Sequence, residues 1–271
     1  MRPCINGATT MPYSLQEDIV FGHKAKFEGI EIWYEKLKKF INEGNTPVKL
    51  QELLWGAELE PATLCGFPLI AFSDNEQAVQ ELVKAAQIAP QIDCETLLVF
   101  PDDAQPAGMS KSEAIKKAAG ALQVYAEAIK PYKVKIAFEP VGRHPYAPGP
   151  NEAMEIINIA GSENLGIAID TFHCYKSGVN FDDIKAVPAG KLFIVHVSDC
   201  ENLPPEHLTD KNRVYTGLGT IPLVEMLKIL KEKGYKGFLS VEIFREEYWK
   251  ESPEKIMLDA KKNMDAVMAK I

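Results

Sequence analysis

No stretch of eighteen consecutive apolar residues occurs in the chain, so no segment has the length and apolarity of a membrane-spanning helix. The N-terminal MRPCINGATT lacks the apolar core of a secretory signal, and the expectation is a cytoplasmic protein with no membrane partner. Cysteine is sparse and unpatterned. Cys4, Cys65, Cys94, Cys174 and Cys200 are odd in number, form no C-x-x-C pair and read as reduced thiols. No base stands at a fixed spacing from them, so none is expected to be a nucleophile. Histidine is also scarce, with five in the chain, which makes a multinuclear zinc centre hard to assemble. Lysine and arginine are nowhere concentrated, the net charge is −8, and nucleic acid is not an expected partner. No basic phosphate cradle is visible, which favours an unphosphorylated substrate. Glycine-rich phosphate loops, internal repeats and interdomain linkers are missing too.

What remains is an ordinary globular balance, 46% hydrophobic and 25% charged over 271 residues, enough for one large core. Eight short apolar runs read as strands: 3–8, 29–34, 59–67, 95–101, 134–140, 165–170, 192–199 and 237–244. Helical periodicity fills the gaps. Ser14 and Glu17 form a capping box that opens a helix to about Lys26, and further helices are expected over 73–89, 110–130, 149–161, 221–234 and from Pro253 onward. The lysines of YEKLKKF fall at helical spacing and are expected on a solvated face. Eight strand–helix alternations predict an α/β fold, a (β/α)8 TIM barrel forming a single domain over 1–271. A doubly wound sheet is the alternative, but six strands would suffice there.

In such a barrel, sites form where strands end. The fifth strand ends at Glu139, the sixth at Asp170, the seventh carries His196 and the eighth Glu242. Alternation aims inward residues near these ends at the mouth. Three carboxylates there would repel one another, and burying Asp170 at the end of LGIAID is costly without an opposite charge. One divalent ion bound by Glu139, Asp170, His196 and Glu242 resolves both problems. The oxygen-rich set suits Mn²⁺ best, with Mg²⁺, Co²⁺ or Zn²⁺ as alternatives. Any one of the four alone reads more simply as a loop carboxylate or a core histidine; it is the set on consecutive strands that carries the reading.

His173, on the loop beyond Asp170, is either a contact for a substrate hydroxyl or a surface histidine. HLTDKNRVYTGLGTI (207–221) reads as a loop over the mouth. Its Arg213 either stabilises an anionic substrate oxygen or is ion-paired in an ordinary turn, and Gly217 and Gly219 would let backbone approach a ligand. Tyr248 and Trp249, in FREEYWKE, fit either a wall of the site or a subunit contact in a homo-oligomer.

At these residues the chain resembles the xylose-isomerase-like sugar isomerase/epimerase superfamily, and within it the inosose (2-keto-myo-inositol) isomerases of inositol catabolism. The likeness covers nearly the whole chain and is densest in NGATT, IDTFH, HLTDKNRVYTGLGTI and LSVEIFREEYWK. It implies that Glu139, Asp170, His196 and Glu242 bind one metal, that Glu139 and Glu242 are catalytic proton carriers, and that His173 and Arg213 contact substrate oxygens. The implied reaction is isomerisation of a keto-inositol or similar keto-polyol or sugar by proton transfer through a metal-bound cis-enediolate. A ketose 3-epimerase or a keto-sugar dehydratase or lyase on the same metal is the alternative; an AP endonuclease or a non-catalytic barrel ranks last. Related ketose epimerases carry a second glutamate six residues after the first, where this chain has Pro145.

Overall fold

A computed structural model describes residues 1–103 and 105–271. Among the described residues ten strands form: β1 (Arg2–Asn6), β2 (Gly29–Trp33), β3 (Glu60–Leu69), β4 (Thr96–Pro101), β5 (Lys135–Phe138), β6 (Leu165–Asp170), β7 (Leu192–Val197), β8 (Asp199–Cys200), β9 (Arg213–Val214) and β10 (Phe238–Val241). All but β8 and β9 pair into a closed barrel in the order β1-β10-β7-β6-β5-β4-β3-β2, and every barrel pairing is parallel. Each of the eight expected strands is present, and the TIM barrel is the fold.

The helices are α1 (Leu15–Lys24), α2 (Tyr34–Asn42), α3 (Pro47–Gly56), α4 (Glu76–Ile88), α5 (Lys111–Ile129), α6 (Pro150–Ala160), α7 (Thr171–Ser177), α8 (Phe181–Ala186), α9 (Leu223–Glu232) and α10 (Pro253–Met268). Ser14 and Glu17 do form a capping box, and Ser110 with Glu113 forms a second that starts α5. None of the helices among the described residues is long and apolar enough to cross a membrane.

Helices cover the outside of the barrel and side chains fill its inside, so strands are apolar on both faces. All six residues of β6 are buried for this reason. The inner filling includes Cys65, Leu98, Ala137, Ala168 and Ile194, while a much larger apolar cluster lies between strands and helices. All five cysteines are buried free thiols.

The seventh strand stops two residues before the expected Asp199. The Asp199 carboxylate accepts hydrogen bonds from the backbone N–H groups of Cys200, Gly217 and Ile221. These bonds turn the chain out of the barrel, into an antiparallel ribbon of β8 and β9 that pairs Cys200 with Arg213.

One expected solvated lysine is not solvated. Lys36, on α2, is buried, with Nζ 2.6 Å from Oδ2 of Asp18 on α1 and donating to the Thr10 carbonyl. Burial pushes Asp18 up to about 7 against the pull of Lys36, and pushes Lys36 down against the pull of Asp18. Removing one member of such a pair costs about 3–5 kcal/mol. Lys36→Met is therefore expected to destabilise the protein by that amount at pH 8. An Asp18 pKa raised above its unfolded value makes stability fall as pH rises, by about 1.4 kcal/mol per unit across the window between them. The variant should accordingly lose less at pH 5, where Asp18 takes a proton. Urea unfolding at both pH values checks this, and an equal loss at each would contradict it.

Candidate metal centre

The four expected ligands meet at the C-terminal end of the barrel. Glu139 directly follows β5 and keeps its ladder through a hydrogen bond from its N–H to the Val99 carbonyl. Asp170 ends β6, His196 lies in β7 in register with Asp170, and Glu242 directly follows β10. All four are buried, and one ligating atom from each lies within 4.8 Å of the others. His196 Nδ1 is 2.9 Å from Glu139 Oε1 and 3.2 Å from Glu242 Oε2.

These spacings test the fit to a metal. Two ligands set at right angles about 2.1 Å from one ion stand roughly 3 Å apart. The charges agree. Burial, with the carboxylates of Glu242 and Asp170 nearby, raises Glu139 to about 7 although His196 pulls it down. Burial alone would lower His196, but Glu242, Glu31 and Glu139 outweigh it and hold the imidazole well above its ordinary value. The cluster is short of positive charge, which a divalent cation supplies. The residues present fit one.

Asp170, however, has a second partner that was expected elsewhere. Arg213 is fully buried, and its Nη1 lies 2.7 Å from Asp170 Oδ2 and 3.6 Å from Glu242 Oε2. Its Nε pairs with Asp210, and its guanidinium carbon sits 4.4 Å above the Phe172 ring. Of the two readings of Arg213, the ion-paired one describes these contacts. Burial would raise Asp170, but Arg213, His173 and His196 together lower it to about 2. Asp170 Oδ1 also caps α7, accepting from the N–H groups of Phe172 and His173.

His173 is thus in the first turn of α7 rather than on a loop, and it is buried. Its Nε2 lies 3.3 Å from Arg213 Nη2. Arginine only donates, so Nε2 accepts and the ring proton resides on Nδ1. Burial first, then Arg213, lowers the ring to about 4 against the pull of Asp170, and it stays neutral at pH 7. Its Nδ1–H has no partner, an unsatisfied donor beside the cavity.

That cavity has a volume of about 560 Å³, within the range of small-molecule sites. Trp33, Phe100, Phe244 and Trp249 give it aromatic walls, and Glu139 and Glu242 open onto it. Of the two aromatics expected near the mouth, Trp249 belongs to the wall, while Tyr248 stacks on Tyr215 at 4.2 Å. Gly217 and Gly219 serve the chain itself. Gly217 takes a φ of +80°, and a Cβ at Gly219 would strike the Cys200 carbonyl, so the turn packs against β8.

Residues that went unnoticed in the sequence are Glu31 and Asn6. Both are fully buried, and Asn6 Nδ2 donates to Glu31 Oε2 at 2.9 Å and to Glu242 Oε1 at 3.2 Å. The signal was the one that exposed Asp170: a carboxylate inside an apolar run, here GIEIW.

The closed parallel barrel and the carboxylate-rich, metal-fitting cluster at its rim agree with the comparisons to known proteins. The chain belongs to the xylose isomerase-like TIM barrel family, whose model matches residues 21–265. It is 33% identical to the inosose isomerase of Halalkalibacterium halodurans over 279 residues, covering 100% of this chain and 97% of that one. The inosose isomerase of Bacillus subtilis is 32% identical over 278 residues, with 100% and 99% covered. Among solved structures, the IOLI protein with a bound zinc atom superposes with a TM-score of 0.92 at 29% identity, covering 100% of this chain and 99% of that one. The chain is an enzyme of the sugar isomerase type.

Proposed function

We propose that this enzyme isomerises a keto-inositol, moving the ketone between adjacent carbons of an unphosphorylated polyhydroxylated ring. The observation that carries this is the quartet Glu139, Asp170, His196 and Glu242, gathered within 4.8 Å beneath an aromatic-walled cavity. Full-length likeness to inosose isomerases supports the substrate class.

The quartet would hold one divalent ion, Mn²⁺ by the hardness of its donors, although zinc accompanies the IOLI structure. Bound there, the ion would supply Lewis-acid stabilisation of negative charge developing on substrate oxygen. The chain's own residues do the rest. Glu139 and Glu242 come from strands separated by β6 and β7, so they approach a bound ring from different sides. One removes the proton α to the carbonyl to leave an enediolate, the other delivers a proton to the former carbonyl carbon, and the hydroxyl proton of the first carbon passes to the former carbonyl oxygen. The His173 Nδ1–H and the remaining Nη2 hydrogen of Arg213 are donors for substrate oxygens. Aromatic walls take the C–H faces of the ring. An epimerase of the ketose type is disfavoured by the loop after β5: His144 lines the cavity but Pro145 is exposed, so this loop places no second glutamate there.

Incubating the Mn²⁺-loaded enzyme with keto-inositols and with ketoses in deuterated water tests the reading. The expected product is an isomeric keto-inositol carrying deuterium at the carbon that gains the proton. An unsaturated product formed with loss of water would replace it with a dehydratase, and turnover of ketoses alone with an epimerase.

A further inference from the structure

We propose that Glu31 is the positioning residue of the metal centre: its carboxylate accepts from the Nε2–H of His196, keeping the proton there and so aiming the Nδ1 lone pair at the ion, while Asn6 ties the same carboxylate to Glu242. This rests on the metal reading above.

Glu31 sits on β2, three strands around the wall from β7, and its side chain crosses the barrel interior. Its Oε2 lies 2.8 Å from His196 Nε2, the nitrogen that faces away from the ligand cluster. No lysine or arginine among the described residues pairs with it. Its other partners are neutral: Thr63 Oγ1 donates to Oε1 at 2.5 Å, and Asn6 Nδ2 to Oε2. Asn6, Glu31 and Thr63 are level neighbours in the β1-β2-β3 register. A fully buried carboxylate with only an imidazole to answer it is costly as mere packing. It makes chemical sense as the acceptor that holds the proton on Nε2, because a ligating histidine needs its second nitrogen anchored to fix tautomer and ring direction. The ring N–H now points off the line to Oε2, leaving Nε2 without an aligned partner; such bonds commonly straighten when a site is loaded. Asn6 extends the device. With one amide hydrogen on each glutamate, and its Oδ1 occupied by the Ala8 N–H, it fixes Glu242 Oε1 and leaves Oε2 beside His196 Nδ1.

The test reads metal binding and tautomer rather than turnover. In Glu31→Gln, Mn²⁺ affinity measured against a chelating dye should fall about 10- to 100-fold, and the visible spectrum of the Co²⁺-loaded protein should change. Thr63→Val removes a neutral bond to the same carboxylate but keeps the acceptor, so its affinity should stay within about threefold by the same reasoning. Nitrogen-15 NMR of the Zn²⁺-loaded wild type, labelled at histidine, should show His196 protonated at Nε2 and metal-shifted at Nδ1. This needs no variant to fold. A folded Glu31→Gln protein with wild-type affinity and an unchanged Co²⁺ spectrum overturns the inference while leaving the metal reading intact, whereas a proton on Nδ1 removes His196 from the ligand set and overturns both. A wild type that binds no divalent ion overturns both.

Discussion

Glutamine at position 139 or 242 is expected to lower the proposed keto-inositol turnover by about 10³-fold, within the range that general acid–base groups contribute. On the proposed mechanism, each change removes a proton carrier and one negative ligand together. Raising the Mn²⁺ concentration refills the site but does not restore the rate, because an amide cannot accept the α-proton. Near-normal kcat in either variant at saturating Mn²⁺ would remove that residue from the chemistry. The metal-free fold behaves in the opposite sense. Burial raises Glu139 from 4.5 to about 7, so the unfolded chain ionises it first and stability drains as pH rises through that interval. Glu139→Gln lacks this slope. Metal-free Glu139→Gln should therefore melt at or above the wild-type temperature at pH 8, the pattern of a site that sacrifices stability for activity.

Arg213→Met is expected to damage folding severely. It leaves the Asp170 carboxylate buried with its principal cation gone, a loss of about 3–5 kcal/mol. For a chain of this size that lowers the melting temperature by roughly 10 °C. Lysine should not rescue it. The guanidinium reaches Asp170 through Nη1 and Asp210 through Nε while stacking over Phe172, and a single ammonium cannot match that fork. Adding Asp170→Asn to Arg213→Met should restore part of the loss by discharging the orphaned carboxylate. Thermal melts in chelator of both single variants and the double variant measure the coupling, and strict additivity would show that the two groups do not act on each other.

Much of this molecule is legible in its residues for a definite reason. Parallel barrel strands are apolar on both faces, so LGIAID and LFIVHV stand out against the amphipathic helices between them, and a carboxylate or imidazole within such runs is conspicuous. That contrast exposed Glu139, Asp170, His196 and Glu242. Partners were harder to see. Arg213 lies 43 residues from Asp170 and Glu31 lies 165 from His196; only closure of the barrel brings these charges together. The same holds for Lys36, whose helical spacing is that of a solvated lysine until α1 sets Asp18 against it. His173 looked like a loop residue because α7 is short and its start depends on Asp170 serving as its cap, which has no pattern beyond one residue.

Because β8 and β9 tie the segment after β7 back onto the barrel, the rim is unequal. On that side Asp199, Arg213 and the glycine turn are committed to internal bonds, and little can change there without disturbing Asp170. On the other side Phe100, Asp102, Val141 and His144 face the cavity without holding the quartet in place. A substitution in the segments following β4 and β5 can therefore reshape the cavity wall while the supports of the quartet stay as they are.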